Sequence, residues 1–426
     1  MTTPPTTSTT APACENCGAG LTTDPRFTQW CTSCGWNALP GPQPEPNAAA
    51  AAAEEKLYRT VTGAGDLRPH RDGAWFGALA MACTVHTFSL ATLGFAVWLL
   101  TTPPGFTAPI LGVILLAATF ILRPRLGSVR RLRKSGQVLD RTDAPALYGV
   151  ADRVAAHLGC PPSYLILANG QFNASYARIG LRRRSVLTLG LPLWEILTPQ
   201  ERIALLGHEF GHSANGDSRR GLWIGTALQT LDGWREVLAP ADIQLSRGGL
   251  DALAHWVVRL GLICVNWPVA RLQRLLHRLT LRSGRRAEYL ADALAVRTAG
   301  SEAAIGLALA LTRLSSVRFV LNRRRGRVVS PRRRRGESPP VDTTDPWEEL
   351  REYLGSVPET ERARQLRVSE LEGATSDSSH PPTHLRLAFM RQLPATEPTI
   401  VVELEQWAAV DRELAPPRAR IAKRLS

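Results

Sequence analysis

Two histidines stand four residues apart with a glutamate beside the first: His208-Glu209-Phe210-Gly211-His212. On a helix, residues at that spacing share one face, one turn apart. Two imidazoles so placed can grip one divalent ion, and a carboxylate on the adjoining edge can take a proton from a water that the ion activates. The bland alternative is the polar face of an ordinary helix. A catalytic ion needs a third protein ligand, and no third histidine follows closely. Arg286-Ala287-Glu288-Tyr289-Leu290-Ala291-Asp292 offers a carboxylate on a predicted helix. Glu288 would complete the ligand set. Asp292, on the same face, would accept the second ring N–H of a ligand histidine and fix its tautomer. Three protein ligands leave one position for water, as catalysis by zinc requires.

A second set of ligands lies near the start of the chain. Cys14-Glu15-Asn16-Cys17-Gly18 and Cys31-Thr32-Ser33-Cys34-Gly35 are two CxxC knuckles. Each puts two thiolates on one tight turn, and the glycine after it permits that turn. Cys14, Cys17, Cys31 and Cys34 would hold a tetrahedral structural zinc; a redox pair is the alternative. So short a segment buries too little apolar surface to fold alone, and the metal would stand in for a core. Arg26 is its only basic residue, so a protein-docking or regulatory role suits it better than nucleic-acid binding.

The ligands need a scaffold. Thr198 can cap a helix, Pro199 suits its first position, and Glu201 completes a capping box, so a helix should run from here through His212. Ala144 to Leu158 reads as an amphipathic helix, and Tyr164 to Ala168 and Ser185 to Leu189 read as strands. Together they predict a compact α/β unit over 140–215.

From Gly73 to Leu122 there is no Asp, Glu, Lys or Arg, and Thr101-Thr102-Pro103-Pro104-Gly105 interrupts the run. A membrane span needs about 20 apolar residues, so the stretch predicts a transmembrane hairpin, 74–100 and 106–122. Arg59, Arg68 and Arg71 precede it, and Arg123, Arg125, Arg130, Arg131, Arg133 and Lys134 follow it. By the positive-inside rule both ends face the cytoplasm. His86 within the first span reads as a neutral imidazole bonded to a helix neighbour. The region 221–280 must cross the membrane twice or not at all, since an odd number would part the ligands; its recurring charges favour not at all.

Lys and Arg total 51 against 37 Asp and Glu, a net charge of +14, which suits anionic lipid, nucleic acid or acidic partners. The excess sits in the membrane flanks and in Asn322 to Arg335 without interleaved aromatics, which counts against nucleic acid. The seven cysteines include the scattered Cys83, Cys160 and Cys264 and suit a reducing compartment. Residues 1–13 carry no signal-peptide-like apolar run and read as disordered. The expected organisation is then a zinc ribbon at 14–37, a linker and juxtamembrane segment at 38–72, and the hairpin at 73–122. A metallopeptidase domain at 123–395 with a disordered Arg-rich insertion at 322–345 follows, and a helical tail at 396–426 ends the chain.

HEFGH with Asp217 after it, then Glu288 to Asp292, then Ser379-His380-Pro381-Pro382-Thr383-His384-Leu385-Arg386, resemble in type and order the HtpX-like and CAAX-prenyl-protease group of membrane metallopeptidases. Asn173-Ala174-Ser175-Tyr176 resembles that group's Asn-Ala motif. The resemblance covers about 140–395. It implies a mainly α fold with a small β-sheet (α+β) around a zincin-like core, with the hairpin and ribbon added. It implies zinc ligands at His208, His212 and Glu288, a general base at Glu209 and a supporting carboxylate at Asp292. It also implies an oxyanion donor at His380, a carboxylate-holding Arg386, and substrate contacts at Asn173 and Ala174. The ribbon and the Arg-rich insertion depart from the group's common core.

The expected function is a membrane-anchored zinc endopeptidase of unfolded or membrane-associated proteins, with one catalytic and one structural zinc. It would sit in the cell membrane with ribbon and catalytic domain in the cytoplasm, in contact with polypeptide substrates and membrane lipid, the ribbon docking a protein partner. The rival is a catalytically silent docking or regulatory protein; its mark would be a broken motif, and none is broken.

Overall fold

The computed structural model describes residues 12–22, 24–41, 48–63, 73–102, 105–123, 127–134, 138–180, 182–215, 217–239, 250–328, 345–373 and 380–425. After the Cys-rich segment come α1 (Ala48–Gly63), α2 (Gly73–Thr101), α3 (Thr107–Ile121), α4 (Val129–Lys134), β1 (Val138–Leu139) and α5 (Pro145–His157). Then follow β2 (Leu165–Asn169), β3 (Ala174–Ile179), β4 (Arg184–Gly190), α6 (Leu191–Trp194), α7 (Pro199–Ala214), α8 (Asp217–Leu238) and α9 (Leu250–Ala299). The chain closes with α10 (Ser301–Leu311), α11 (Leu314–Val328), α12 (Pro346–Gly355), α13 (Glu359–Gly373), α14 (Thr383–Gln392) and α15 (Leu404–Leu425). The fold is α+β, mainly helical with one small sheet, as the sequence implies.

The sheet has the order β1-β2-β4-β3, with β2 parallel to β4 and the outer pairs antiparallel. β4 contains the expected strand Ser185 to Leu189. It is interior, between β2 and β3, which is why Val186, Leu187 and Leu189 are all buried. The edge is β3, whose mixed sequence Ala-Ser-Tyr-Ala-Arg-Ile hides its strand character. Gly190 ends β4 where a Cβ would collide with the carbonyl oxygens of Gln171 and Asn173. Tyr148 ties α5 to the sheet: its hydroxyl donates to Leu139 O (2.8 Å) and accepts from Ile166 N (2.9 Å).

The main core joins the sheet to α5, α6, α7, α10 and the C-terminal half of α9. Three expected boundaries change because apolar stripes find this core. The run Ala48 to Ala53 within the expected linker is helical. It opens α1, whose Leu57 and Val61 are buried and whose Glu54 pairs with Arg285 of α9. Alanine is the best helix former, and the stripe supplies the anchor. The C-terminal helix is not a tail: Trp407, Val410, Leu414 and Ile421 are buried, and Glu413 caps α5 by accepting from Ala146 N (2.7 Å) and Leu147 N (2.9 Å). The Arg-rich segment begins as helix, since α11 continues to Val328 and its Arg323 and Arg324 pair with Glu349 of α12. Residues 329–344 of that expected insertion, and 1–11 of the expected disordered start, lie outside the described residues.

Among the described residues one single helix, α2, is long and apolar enough to cross a membrane. The second helix of the expected hairpin, α3, has 15 residues. That is about 22 Å, against a hydrocarbon core of about 30 Å. The two pack tightly: a Cβ on Gly112 would lie 2.9 Å from Leu100 Cγ. On the other side of α2, Ala78, Ala82 and Val85 form a small core with Ile224, Ala227 and Leu231 of α8 and Leu276 of α9. His86 bonds through Nε2 to Trp223 O of α8 at 3.0 Å, with Thr226 Oγ1 at 3.3 Å. Region 221–280 thus lies against α2, and Trp256, Val257, Leu260, Val265 and Trp267 of α9 are exposed.

Candidate metal centre

Helix α7 begins with the anticipated capping box: Thr198 Oγ1 accepts from Glu201 N at 3.3 Å, and Glu201 Oε2 accepts from Thr198 N at 2.8 Å. With its start fixed, His208 and His212 come onto the face that meets α9. Small residues set the approach. A Cβ on Gly207 would lie 3.2 Å from Ala295 Cα, and one on Gly211 would lie 3.1 Å from Ala291 Cα. Glycine on one helix and alanine on the other let the backbones nearly touch, so the short Glu288 side chain reaches both imidazoles. These four small residues escaped the sequence reading, though their spacing of four on each helix was a visible signal.

His208 Nε2 is 3.5 Å from Glu288 Oε2, and His212 Nε2 is 3.5 Å from Glu288 Oε1. The two rings stand nearly perpendicular, 89° between planes with centroids 4.9 Å apart. Zinc bound tetrahedrally by nitrogen and oxygen at about 2.0–2.1 Å needs ligand atoms roughly 3.4 Å apart, so the donor set fits that ion. Asp292 Oδ1 lies 3.1 Å from His208 Nδ1, on the far side of the ring. Arg386 of α14 holds Asp292 with Nε on Oδ2 (2.8 Å) and Nη2 on Oδ1 (2.6 Å), both groups buried. His380 Nδ1 lies 2.9 Å from Glu288 Oε2, and its side chain is 62% exposed, so it stands at the mouth of the centre. Glu209 is buried on α7 and makes no hydrogen bond or ion pair to another described residue.

The electrostatics suit a cation. Burial opposes charge on His208, but hydrogen bonds to Asp292 and Glu288 outweigh it and lift its pKa to about 10. Burial likewise opposes ionisation of Glu288, yet contact with His208 and His380 holds its carboxyl well below the usual range. Proton and metal compete for the same nitrogen lone pair, so a site that draws a proton this strongly also draws a divalent ion.

A groove of about 730 Å³ opens beside His380 between α11 and α13, with Leu314, Arg318, Gln365 and Val368 among its walls. A second, about 550 Å³, shares Leu314 and Arg318 and extends to Gln171 and Asn173. Asn173 therefore lies on a path that leads to His380, and Ala174 begins the edge strand β3. Arg318, where the two grooves meet, was not singled out by the sequence.

The cysteine cluster forms a second centre. Cys14 and Cys34 sulfurs are 3.7 Å apart, and Cys17 and Cys31 sulfurs 3.5 Å. Zinc–sulfur bonds of about 2.3 Å ask for roughly 3.75 Å between tetrahedral ligands, so these four also fit zinc. Gly18 and Gly35 take φ of 74° and 76°, the left-handed turn each knuckle needs. The Asn16 side chain and the Trp36 amide draw the Cys34 thiol down to about 6, toward the thiolate a metal prefers. This module rests on α12 and α13. Trp30 Nε1 donates to Thr360 O (3.2 Å), Arg26 Nη2 to Ser356 O (3.0 Å), and Arg364 Nη1 to Ala38 O (2.8 Å). One of its faces is thus committed to the chain's own groove wall.

Comparison with known proteins matches residues 143–393 to the family model for peptidase family M48. No curated protein and no solved structure matches the chain. The matched stretch covers more than half of the 426 residues and contains His208, His212 and Glu288. With a donor set that fits zinc inside that stretch, the chain belongs to peptidase family M48, a family of zinc metallopeptidases.

Proposed function

We propose that this protein is a membrane-anchored endopeptidase that cleaves extended segments of unfolded or membrane-associated proteins, with Glu209 as general base. The carrying observation is Glu209 itself: a buried carboxylate between two ligand imidazoles on α7, with no partner among the described residues. Its lone pairs remain for a water. His208, His212 and Glu288 would hold zinc, which when bound polarises a carbonyl and lowers the pKa of a water towards about 7. Glu209 takes the proton from that water and delivers it to the leaving amine nitrogen. Asp292, held by Arg386, keeps the His208 ring oriented with Nε2 toward Glu288. His380, anchored through Nδ1, donates from Nε2 to the oxygen that gains charge during addition. The free edge of β3 runs beside α7, where the Tyr176 and Phe210 rings are 5.1 Å apart, and pairs with extended substrate backbone.

The anchor is the α2–α3 hairpin, and α8 with the first part of α9 completes an apolar bundle around it. Support comes from the small core that joins α2, α8 and α9, and from the outward Phe88, Phe95, Trp98, Ile114, Trp256 and Trp267. Large exposed apolar surface on one end of a chain marks contact with lipid or protein. The α2–α3 hairpin returns to the side it leaves, and α8 and α9 pack against it, so the ligand halves stay together. The basic residues after α3 support a cytoplasmic position for that side.

The test is Glu209→Gln. It keeps both metal ions and loses cleavage of a casein-like substrate. A variant that cuts at the wild-type rate rejects Glu209 as base.

A further inference from the structure

Beside the sheet, away from the metal centre, lies a cavity of about 600 Å³ whose ionisable lining is Arg133, Arg141, Arg178, Arg183, Arg184 and a single carboxylate, Asp140. Arg133 pairs with Asp140 (2.7 Å) and Arg141 with Asp152 (2.5 Å). Arg184 lies over the Tyr164 ring at 4.1 Å and bonds its hydroxyl. Even with both aspartates counted, the cavity is cationic. Arg130, Arg131 and Lys134 of α4 and Arg182 of the β3–β4 turn are exposed around it.

The fold spends structure on this arrangement. Arg183 takes φ of 49°, a left-handed conformation disfavoured for its side chain, in the turn closed by Arg183 N to Gly180 O at 3.0 Å. Val129 and Leu132 of α4 pack against Leu165, Leu167 and Val186, which turns the basic face of α4 outward.

The location selects the ligand. A Cβ on Gly127 would lie 3.3 Å from Ile179 Cβ, so the β3–β4 turn abuts the start of α4. Gly127 lies only five positions beyond Leu122 at the end of α3, a reach of at most about 18 Å. The arginines therefore sit at the end of the apolar hairpin, at the depth of lipid headgroups. Guanidinium groups bind phosphate in forked pairs, and basic pockets at the cytoplasmic end of membrane helices take anionic headgroups.

We infer that this cavity is a binding site for the phosphate headgroup of an anionic phospholipid. The inference rests on the membrane reading of α2 and α3. The bound headgroup fixes the β3–β4 turn against the membrane surface, and through β3 it sets the tilt of the substrate-pairing edge.

The full-length protein is purified in detergent and offered phosphatidylglycerol or phosphatidylcholine with the same acyl chains, and retained lipid is read by native mass spectrometry. Wild type retains phosphatidylglycerol preferentially. Arg178→Gln with Arg183→Gly lowers that retention roughly thirtyfold, from about fivefold per arginine lost near a charged headgroup. Arg183→Gly also relieves the backbone conformation, and an unchanged thermal midpoint confirms that the variant is folded. Arg178→Lys with Arg183→Lys keeps the preference. Equal retention of the two lipids by wild type, or no loss in the charge-removing variant, overturns the site. So does displacement of the lipid by millimolar inorganic phosphate, which would make it a free-phosphate site. Anchoring is read separately by alkaline carbonate extraction from phosphatidylcholine vesicles. A protein that washes off overturns the membrane reading and this inference with it, whereas one that stays but ignores headgroup charge overturns the cavity alone.

Discussion

Gly211 faces Ala291 so closely that a Cβ on the glycine would lie 3.1 Å from the alanine's Cα. That approach places Glu288 within reach of both histidines. Gly211→Ala must push α7 from α9, and overpacking of this kind costs about 1–3 kcal/mol. We expect a lower thermal midpoint together with loss of metal from the His208, His212 and Glu288 site, measured by unfolding and by metal count. Full stability with undiminished metal content would show that the helices have slack that the glycine does not provide.

Asp292 connects the metal centre to α14 through Arg386. Asp292→Asn keeps the shape, removes the charge and weakens the bond to His208 Nδ1. Partners of this kind change metal affinity by about 10–100-fold. A chelator titration should show that drop while the ribbon ion is held as before. Wild-type chelator resistance would mean that Asp292 serves packing alone.

The cysteine module leans on the helix that lines the groove. Cys31→Ser should release the ion there and free Arg364 and Trp30 from their partners across the contact. Amide exchange should then accelerate across α13. Because the groove wall and not the metal ligands is disturbed, KM for a polypeptide should rise more than kcat falls. Unaltered exchange in α13 would separate the ribbon from the peptidase.

Cys160 is buried, and its S–H donates to Phe210 O at 3.3 Å. Burial pushes this thiol up, and the Ser213 contact only partly opposes it. The folded state therefore binds the proton more tightly than the unfolded chain, and stability falls as pH rises through the unfolded value of about 8.5. Alkylation of Cys160 at neutral pH should be far slower than that of a free thiol and should climb only as the medium becomes alkaline. Rapid labelling at pH 7 would reveal local opening of α7.

Much of the peptidase unit was legible because its signals are local. A capping box, two histidines one turn apart and a carboxylate at helical spacing depend on residues within a few turns. The charge-free run before Leu122 was equally plain. What escaped depends on neighbours far along the chain. β3 has no apolar–polar alternation in its sequence because it is a thin edge beside α7. Helix α1 fell within the expected linker because the surface that accepts Leu57 belongs to α9 and α14. Region 221–280 looked too charged for the apolar bundle. In the fold, Gln273 spans Asp232 and Arg235, so three polar groups on α8 and α9 satisfy one another.

By itself the sequence determined the donors: two imidazoles, a glutamate and four thiolates, with the helix cap and knuckle glycines that orient them locally. Their chemistry follows from atom type and short-range spacing, which folding does not alter. Only the tertiary structure decided which donors meet. Glu288 lies far from His208 in sequence, and its approach depends on two helices without bulky side chains at their crossing. The seating of the ribbon on the groove wall and the gathering of arginines beside the hairpin were decided there too. Both join segments whose contact energy appears only after the chain has folded.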